Sequence, residues 1–152
     1  MKLGTTKRFS SLDSDIITLM AEPKTVLVIE DEVFLSQLLT NRLKDLGVNV
    51  VGAASYEEGL SALKTHQPSL VLLDIILPGK QTGFELLAQA RQDPMLKDTP
   101  FIIISNLGQE SDISRGKELG AIEYFIKAKT SLDGLMEKVR SILEGKEKAN
   151  VV

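Results

Sequence analysis

Cysteine is absent from this 152-residue chain. Its absence excludes disulfides, cysteine-ligated zinc, iron–sulfur clusters and thiol catalysis together. Histidine is nearly absent, since His66 is the single copy. We interpret His66, near the end of a predicted helix, as a surface or capping residue, not as a phosphocarrier or metal ligand.

The chain also lacks a surplus of basic charge. Its net charge of −3 argues against direct nucleic-acid binding, which needs cations to neutralise phosphates. The longest apolar runs are far shorter than a membrane span. The N-terminus has no apolar segment behind its basic residues, so it does not resemble a secretory signal. We therefore expect a cytoplasmic protein without membrane contact.

The length and composition predict one globular domain. The chain is 43% hydrophobic and 26% charged, which is ordinary for such a domain. We expect the domain to span residues 24–145. Residues 1–23 would form an N-terminal extension with a short helix capped by Ser11 or Asp13, and residues 146–152 a charged tail that frays.

Strand-like and helix-like segments alternate along the domain. Short apolar, β-branched runs, typical of strands buried on both faces, cover residues 25–29, 48–53, 70–73, 101–104 and 122–126. Helical spacing of apolar residues covers about 35–46, 55–64, 84–90, 110–119 and 130–143. This alternation predicts an α/β, doubly wound fold with a parallel sheet and right-handed crossovers.

Ligands bind such sheets beyond the carboxyl ends of the strands. The second predicted strand offers no ionisable group there. The polar residues that follow the other four strands are Glu30 and Asp31 after the first, Asp74 after the third, Ser105 and Asn106 after the fourth, and Lys127 after the fifth.

Taken singly, several of these residues have a structural explanation. Glu30 and Asp31 suit a helix N-terminus, and Lys127 alone would suit the surface. Asp74 is harder to explain, because a carboxylate directly after four buried aliphatic residues needs partners. Together, three carboxylates without histidine or cysteine suit Mg²⁺. With the amine of Lys127 and the hydroxyl of Ser105, they supply what phosphoryl transfer requires.

The ordered set resembles the receiver domain of two-component response regulators, over essentially residues 24–145. The acidic pair, the acceptor in Leu-Val-Leu-Leu-Asp-Ile-Ile-Leu-Pro, and the segments Gly83–Leu87 and Gly120–Lys127 carry the likeness. The resemblance implies a flavodoxin-like (βα)₅ fold with strand order 2-1-3-4-5, in a stand-alone regulator. It is then a signalling switch, not an enzyme that turns over external substrates.

The resemblance also implies roles for individual residues. Asp74 would accept a phosphoryl group from a histidine kinase or phosphotransfer protein. Asp31, Asp74 and the backbone carbonyl of Ile76 would bind Mg²⁺ directly, and Glu30 would bind it through water. Lys127 would hold the phosphoryl group.

The remaining implied roles concern switching. Ser105 would move toward the phosphoryl group and Tyr124 would turn inward. The face formed by the fourth helix, fifth strand and fifth helix would then change, and bind a downstream protein or a second copy of the chain.

Four departures from the family pattern carry expectations of their own. Glu30 replaces the commoner aspartate, and the loop at residues 78–83 is one residue longer than usual. Ala128 replaces the usual proline after the lysine, so we expect a trans peptide bond there. Ile76 and Leu107, which flank the hydrolytic water in the family, are apolar. They predict slow autodephosphorylation.

Other functions fit less well. A haloacid-dehalogenase-like Mg²⁺-dependent phosphohydrolase needs a second aspartate two residues after Asp74, where Ile76 stands. A P-loop at Gly79-Lys80 fails because the required first glycine is replaced by Asp74. No dinucleotide-binding glycine motif follows any strand. The main alternative is a receiver-like interaction module that is never phosphorylated.

Overall fold

The computed structural model describes residues 23–145. The five strands are β1 Thr25–Ile29, β2 Asn49–Ala53, β3 Leu70–Leu73, β4 Phe101–Ser105 and β5 Glu123–Ile126. The five helices are α1 Val33–Asp45, α2 Tyr56–His66, α3 Gly83–Gln92, α4 Glu110–Glu118 and α5 Leu132–Leu143. A short 3₁₀ helix, Lys127–Lys129, lies between β5 and α5.

All five strands pair in parallel, in the order β2-β1-β3-β4-β5. The predicted fold class and strand order are confirmed. Because β1 pairs with both β2 and β3, the order of the strands reverses at β1. A crevice opens at the carboxyl edge of such a reversal, which is where this class of sheet binds ligands.

The sheet separates two layers of apolar side chains. Alternate residues of β1 and β3 point to opposite faces, as the period of a strand requires. One layer packs against α2, α3 and α4, and the other against α1 and α5. The residues of β1 after Thr25, and all of β3, are buried. Each buried aliphatic side chain contributes about 2 kcal/mol, so the central strands are held firmly and their ends are fixed in space.

Local side-chain caps set where α2 and α3 begin. Ser55 caps α2, as its capping-box spacing predicted, and its Oγ accepts from Glu58 N–H at 3.1 Å. A complete capping box of Thr82 and Glu85 starts α3. The sequence prediction placed this start at Phe84 because it relied on apolar spacing, which capping residues do not share.

The segment between β5 and α5 adds detail to the prediction. Ser131 caps α5 by accepting from Gly134 N–H at 3.0 Å, while Thr130 Oγ1 donates to Ile126 O at 2.8 Å. The 3₁₀ helix was not predicted, because three residues are too few to show a period. No cis peptide bond occurs in residues 23–145, so the expected trans bond before Ala128 is confirmed.

Two expectations concern other parts of the chain. The short helix predicted within residues 1–23, and the frayed tail at 146–152, lie outside the described residues, apart from Pro23 itself. Within the described range, no helix is both long enough and apolar enough to cross a membrane.

Candidate functional site

Glu30 and Asp74 are brought side by side by the register of the two central strands. Ile29 of β1 is level with Leu73 of β3, and each carboxylate follows directly. The ladder continues one residue further, because Asp74 N–H donates to Ile29 O at 3.0 Å and Glu30 N–H donates to Ala53 O at 2.9 Å. The main chain of both residues is therefore fixed by hydrogen bonds. Each residue is only 4% exposed.

Asp31 completes an acidic cluster with these two residues. Glu30, Asp31 and Asp74 each offer a carboxylate oxygen, and the three oxygens lie within 4.8 Å of one another. Asp31 is exposed, whereas the other two are buried. Three carboxylate oxygens this close together are hard donors, which suit Mg²⁺. The residues present therefore fit the metal that the sequence predicted.

Burial makes negative charge costly at this cluster. It raises the pKa of the Glu30 carboxyl to about 7, and the Asp74 carboxylate adds to the rise. Hydrogen bonds from Glu32 N–H and Lys127 Nζ oppose the rise without cancelling it. A positive charge at this cluster would stabilise the ionised carboxylates.

Lys127 supplies one positive charge from the end of β5. Its Nζ lies 2.8 Å from Asp74 Oδ2, 3.0 Å from Glu30 Oε1 and 3.0 Å from Glu32 Oε2. Burial alone would lower the pKa of Lys127, but its hydrogen bonds to Asp74, Glu32 and Glu30 outweigh this and raise the pKa. Lys127 is therefore held as a cation against the Asp74 carboxylate.

Glu32 is a member of the site that sequence reasoning missed. Its carboxylate contacts Lys127, and its backbone N–H donates to Glu30 Oε2 at 3.0 Å. The run of three acids in Glu30-Asp31-Glu32 was visible in the sequence. However, residue 32 stands three positions beyond β1, and only the turn into α1 brings it back to Lys127.

Ser105 and Tyr124 meet at Leu107 instead of at Asp74. The Ser105 hydroxyl is fully buried as the last residue of β4, and its Oγ accepts from Leu107 N–H at 3.2 Å. The Tyr124 hydroxyl donates to Leu107 O at 2.6 Å, and the ring is buried. The two predicted switch residues thus bind the N–H and the carbonyl of one residue.

The loop after β3 contacts the Asp74 side chain. Ile76 N–H donates to Asp74 Oδ1 at 3.2 Å, while the Ile76 side chain is 54% exposed. Gly83 begins α3 directly behind this turn. A Cβ built at Gly83 would lie 2.3 Å from Asp74 O, so only glycine allows the helix to pack here. The sequence string around Gly83 resembled the family, but this steric reason required the structure.

The chain matches the family model for the response regulator receiver domain over residues 26–140. It belongs to the response regulator receiver domain family. This settles the family and the general class of function as two-component signal transduction, and the receiver-domain family binds Mg²⁺ at an acidic pocket such as the one described.

Curated relatives agree with this assignment. The probable transcriptional regulator ycf27 of Porphyridium aerugineum is 35% identical over 129 residues, covering 85% of this chain and 52% of the relative. The phosphate regulon transcriptional regulatory protein PhoB of Escherichia coli is 32% identical over 104 residues, covering 68% and 45%. The chain thus spans about half the length of the curated relatives it matches.

A solved structure agrees as well. The CheY-like response regulator receiver domain protein of Methanospirillum hungatei superposes with a TM-score of 0.75 at 25% identity. The match covers 82% of this chain and 97% of that one. The receiver domain in residues 23–145 therefore corresponds to nearly the whole of a protein described as a receiver domain.

Proposed function

We propose that the receiver domain is a phosphorylation-dependent switch that accepts a phosphoryl group on Asp74 from a histidine kinase or phosphotransfer protein. The observation that supports this best is the 2.8 Å contact between Lys127 Nζ and Asp74 Oδ2, within a cluster of carboxylates suited to Mg²⁺. A buried nucleophile beside a fixed cation and a metal site matches the requirements of phosphoryl transfer. We place this reaction in the cytoplasm as part of the same proposal.

In the proposed reaction, a carboxylate oxygen of Asp74 attacks the phosphorus of a phosphohistidine. The phosphorus–nitrogen bond breaks, its electron pair stays on the imidazole, and the imidazole takes up a proton. Lys127 then holds a phosphoryl oxygen by its charge, and Ser105 donates its hydroxyl to another. The receiver acts on itself, so no external substrate is turned over.

The metal site that we propose uses Asp31, Asp74 and the backbone carbonyl of Ile76 as direct ligands, with Glu30 acting through water. When bound, Mg²⁺ would neutralise charge on the carboxylates and on the incoming phosphoryl oxygens. Glu32 would act through Lys127, because its carboxylate contacts the lysine. It is not one of the three clustered carboxylates, which are those of Glu30, Asp31 and Asp74.

Switching would pass from Ser105 to Tyr124 through Leu107, to which both are already bonded. Movement of Ser105 toward a phosphoryl group would shift the face formed by α4, β5 and α5. We propose that this face then binds a downstream protein or a second copy of the chain. The match spans only about half the length of the transcriptional regulators among the relatives, so transcriptional regulation is not assigned to this chain.

A phosphorylation assay tests the function directly. The protein is incubated with acetyl phosphate and Mg²⁺, and its intact mass is measured for wild type and for Asp74→Asn. We expect wild type to gain one phosphoryl group, and Asp74→Asn and the EDTA-treated wild type to gain none. No gain in mass in either wild type or Asp74→Asn would instead identify a receiver-like interaction module.

The lifetime of the phosphorylated protein is a separate proposal. Ile76 and Leu107 cannot orient an attacking water, because both side chains are apolar. We expect autodephosphorylation to be slow, and Ile76→Asn with Leu107→Glu to accelerate it about tenfold or more. Loss of the phosphoryl group within seconds from wild type would contradict this expectation.

A further inference from the structure

Tyr124 is packed against a glycine in the last turn of α4. A Cβ built at Gly116 would lie 2.7 Å from Ile103 Cδ1, 2.9 Å from Tyr124 Cδ2 and 3.3 Å from Tyr124 Cε2. Distances below 3.0 Å do not occur for real Cβ atoms, so an added methyl group would force one of these neighbours to move. The space that Gly116 leaves open is therefore occupied by the tyrosine ring and the end of Ile103.

The backbone does not explain why a glycine stands at this position. The glycines with positive φ in residues 23–145 are Gly47, Gly79, Gly120 and Gly145, and Gly116 is not among them. A glycine inside a helix is less stable than an alanine, because it loses more freedom on folding. The structure therefore explains the glycine by packing: Tyr124 and Ile103 occupy the space that a Cβ would need.

We propose that Gly116 is a positioning residue that holds Tyr124 in its inward orientation. An inward ring places the hydroxyl 2.6 Å from Leu107 O, and Leu107 N–H is bonded to Ser105 Oγ. A ring pushed outward by a Cβ at residue 116 loses that hydroxyl bond. Gly116 thereby makes room for the inward ring position that the switch requires, without touching the acidic cluster.

The first test measures the position of the ring and requires no phosphoryl donor. Tyr56 and Tyr124 are the two tyrosines of the chain, so selective labelling gives few, resolvable ring signals in NMR spectra. In wild type we expect Tyr124 to be protected from a soluble paramagnetic probe, and in Gly116→Ala to be exposed. An exposed ring in wild type, or a protected ring in Gly116→Ala, would overturn the proposal.

A spectrophotometric titration gives a second measure of the same change. Burial raises the pKa of Tyr124, and Asp112 and Asp74 add to the rise, while the hydrogen bond to Ser105 opposes it. In Gly116→Ala the ring should ionise at a lower pH than in wild type. An unchanged titration would count against the proposal.

Gly59 provides the matched control. It is a buried glycine inside α2, and a Cβ there would lie 2.8 Å from Ile29 Cδ1 and 3.0 Å from Leu86 Cδ1. Gly59→Ala therefore produces similar crowding in the same apolar layer, without contact to Tyr124. We expect it to leave the Tyr124 signals and titration unchanged. If it moved them equally, crowding anywhere in the layer would explain the effect.

Two backgrounds separate the neighbours of Gly116. Tyr124→Ala removes the ring, and Ile103→Val removes only the Cδ1 atom. Under the proposal, Gly116→Ala should lower the urea midpoint in wild type and in Ile103→Val, and not in Tyr124→Ala. The proposal would be overturned if Ile103→Val, and not Tyr124→Ala, abolished the loss of stability caused by Gly116→Ala. If Gly116→Ala fails to fold, folding of the double variant with Tyr124→Ala supports the proposal, and failure of both contradicts it.

The consequence for signalling rests on the proposed function. Half-saturation with BeF₃⁻ and Mg²⁺ should require about tenfold more ligand in Gly116→Ala than in wild type, the size expected for one overpacked contact. Equal half-saturation would contradict this consequence. If wild type binds no BeF₃⁻ at all, the function proposed for Asp74 is wrong. The measurements on the Tyr124 ring would still decide the role of Gly116.

Discussion

Lys127 and Arg91 are both half-buried cations, but they are bonded to different kinds of oxygen. Lys127 Nζ contacts carboxylates at 2.8–3.0 Å. The Arg91 guanidinium lies 5.3 Å from the centre of the Phe101 ring. It donates at 2.8–3.0 Å to four backbone carbonyls, those of Lys97, Thr99, Leu119 and Gly120.

The two surroundings move the pKa values in opposite directions. Burial lowers the pKa of Arg91, and the Asp98 carboxylate only partly opposes this. The pKa of Lys127 is raised, because its carboxylates outweigh burial. Carboxylates can exchange a lysine for a metal ion or share it with a phosphoryl group. Backbone carbonyls belong to the fold and cannot be exchanged, so Arg91 joins two loops, whereas the proposed role of Lys127 is in the reaction.

The largest effect should come from removing the structural cation. Arg91→Met leaves four carbonyls, in the loop before β4 and in the turn after α4, without their donor. We expect the free energy of unfolding to fall by about 3 kcal/mol or more, measured by urea denaturation. The folded fraction should still be phosphorylated on Asp74, because Arg91 has no contact with the acidic cluster.

Arg42 is the control for that experiment. Its pair with Asp133 is 2.5 Å long, but the Asp133 side chain is 89% exposed. Arg42→Met should cost no more than about 1 kcal/mol. If Arg42→Met and Arg91→Met were equally destabilising, the distinction between a structural and a surface arginine would fail.

Removing Lys127, the cation of the proposed site, should affect the reaction more than the fold. We expect Lys127→Met to slow phosphorylation by acetyl phosphate about 100-fold, the usual loss when one fixed charge on a transition state is removed. With Mg²⁺ present, its loss of stability should be smaller than that of Arg91→Met, since the metal replaces the missing charge. A Lys127→Met variant phosphorylated at the wild-type rate would break the comparison.

The smallest effect concerns pH, through the excess of carboxylates around Lys127. In the folded state the pKa of Glu30 is about 7, whereas the pKa of an unperturbed glutamate is 4.5. Between these values the folded state binds more protons than the unfolded state, so stability falls as pH rises. In EDTA we expect a loss of about 2 kcal/mol between pH 5.5 and 8 from this group.

Glu30→Gln should flatten this pH dependence, and Mg²⁺ should reduce it in wild type. Both changes remove the cost of a buried carboxylate, one by neutral substitution and the other by a positive charge. Urea midpoints at several pH values measure the slope. A slope that is the same in wild type and Glu30→Gln would show that other groups are responsible.

Much of the architecture could be predicted because its signals are local. Five apolar runs alternating with helical spacing fix a parallel α/β sheet, and the residue after each strand lies at the ligand-binding edge. Glu30, Asp31, Asp74 and Lys127 were found in this way. Element ends were less accurate, since the capping box of α3 and the 3₁₀ helix leave little trace in hydrophobic periodicity.

Arg91 and Glu32 show what escaped prediction. In the sequence, Arg91 looks like an ordinary basic residue in the last turn of a helix. Its partners lie in the loop before β4 and in the turn between α4 and β5, which no spacing rule connects to it. Glu32 looks like a helix N-terminal acid, and its contact with Lys127 spans 95 positions of the chain.

The sequence by itself determined the fold class, the edge of the sheet that carries chemistry, and Asp74 with its acidic and basic neighbours. These follow from periodicity and from the rule that parallel strands end together. Only the tertiary structure decided which oxygens surround Lys127, why Gly83 and Gly116 must lack a Cβ, and that Ser105 and Tyr124 share Leu107. Such facts depend on distances of a few ångströms between segments distant in sequence, which packing alone sets.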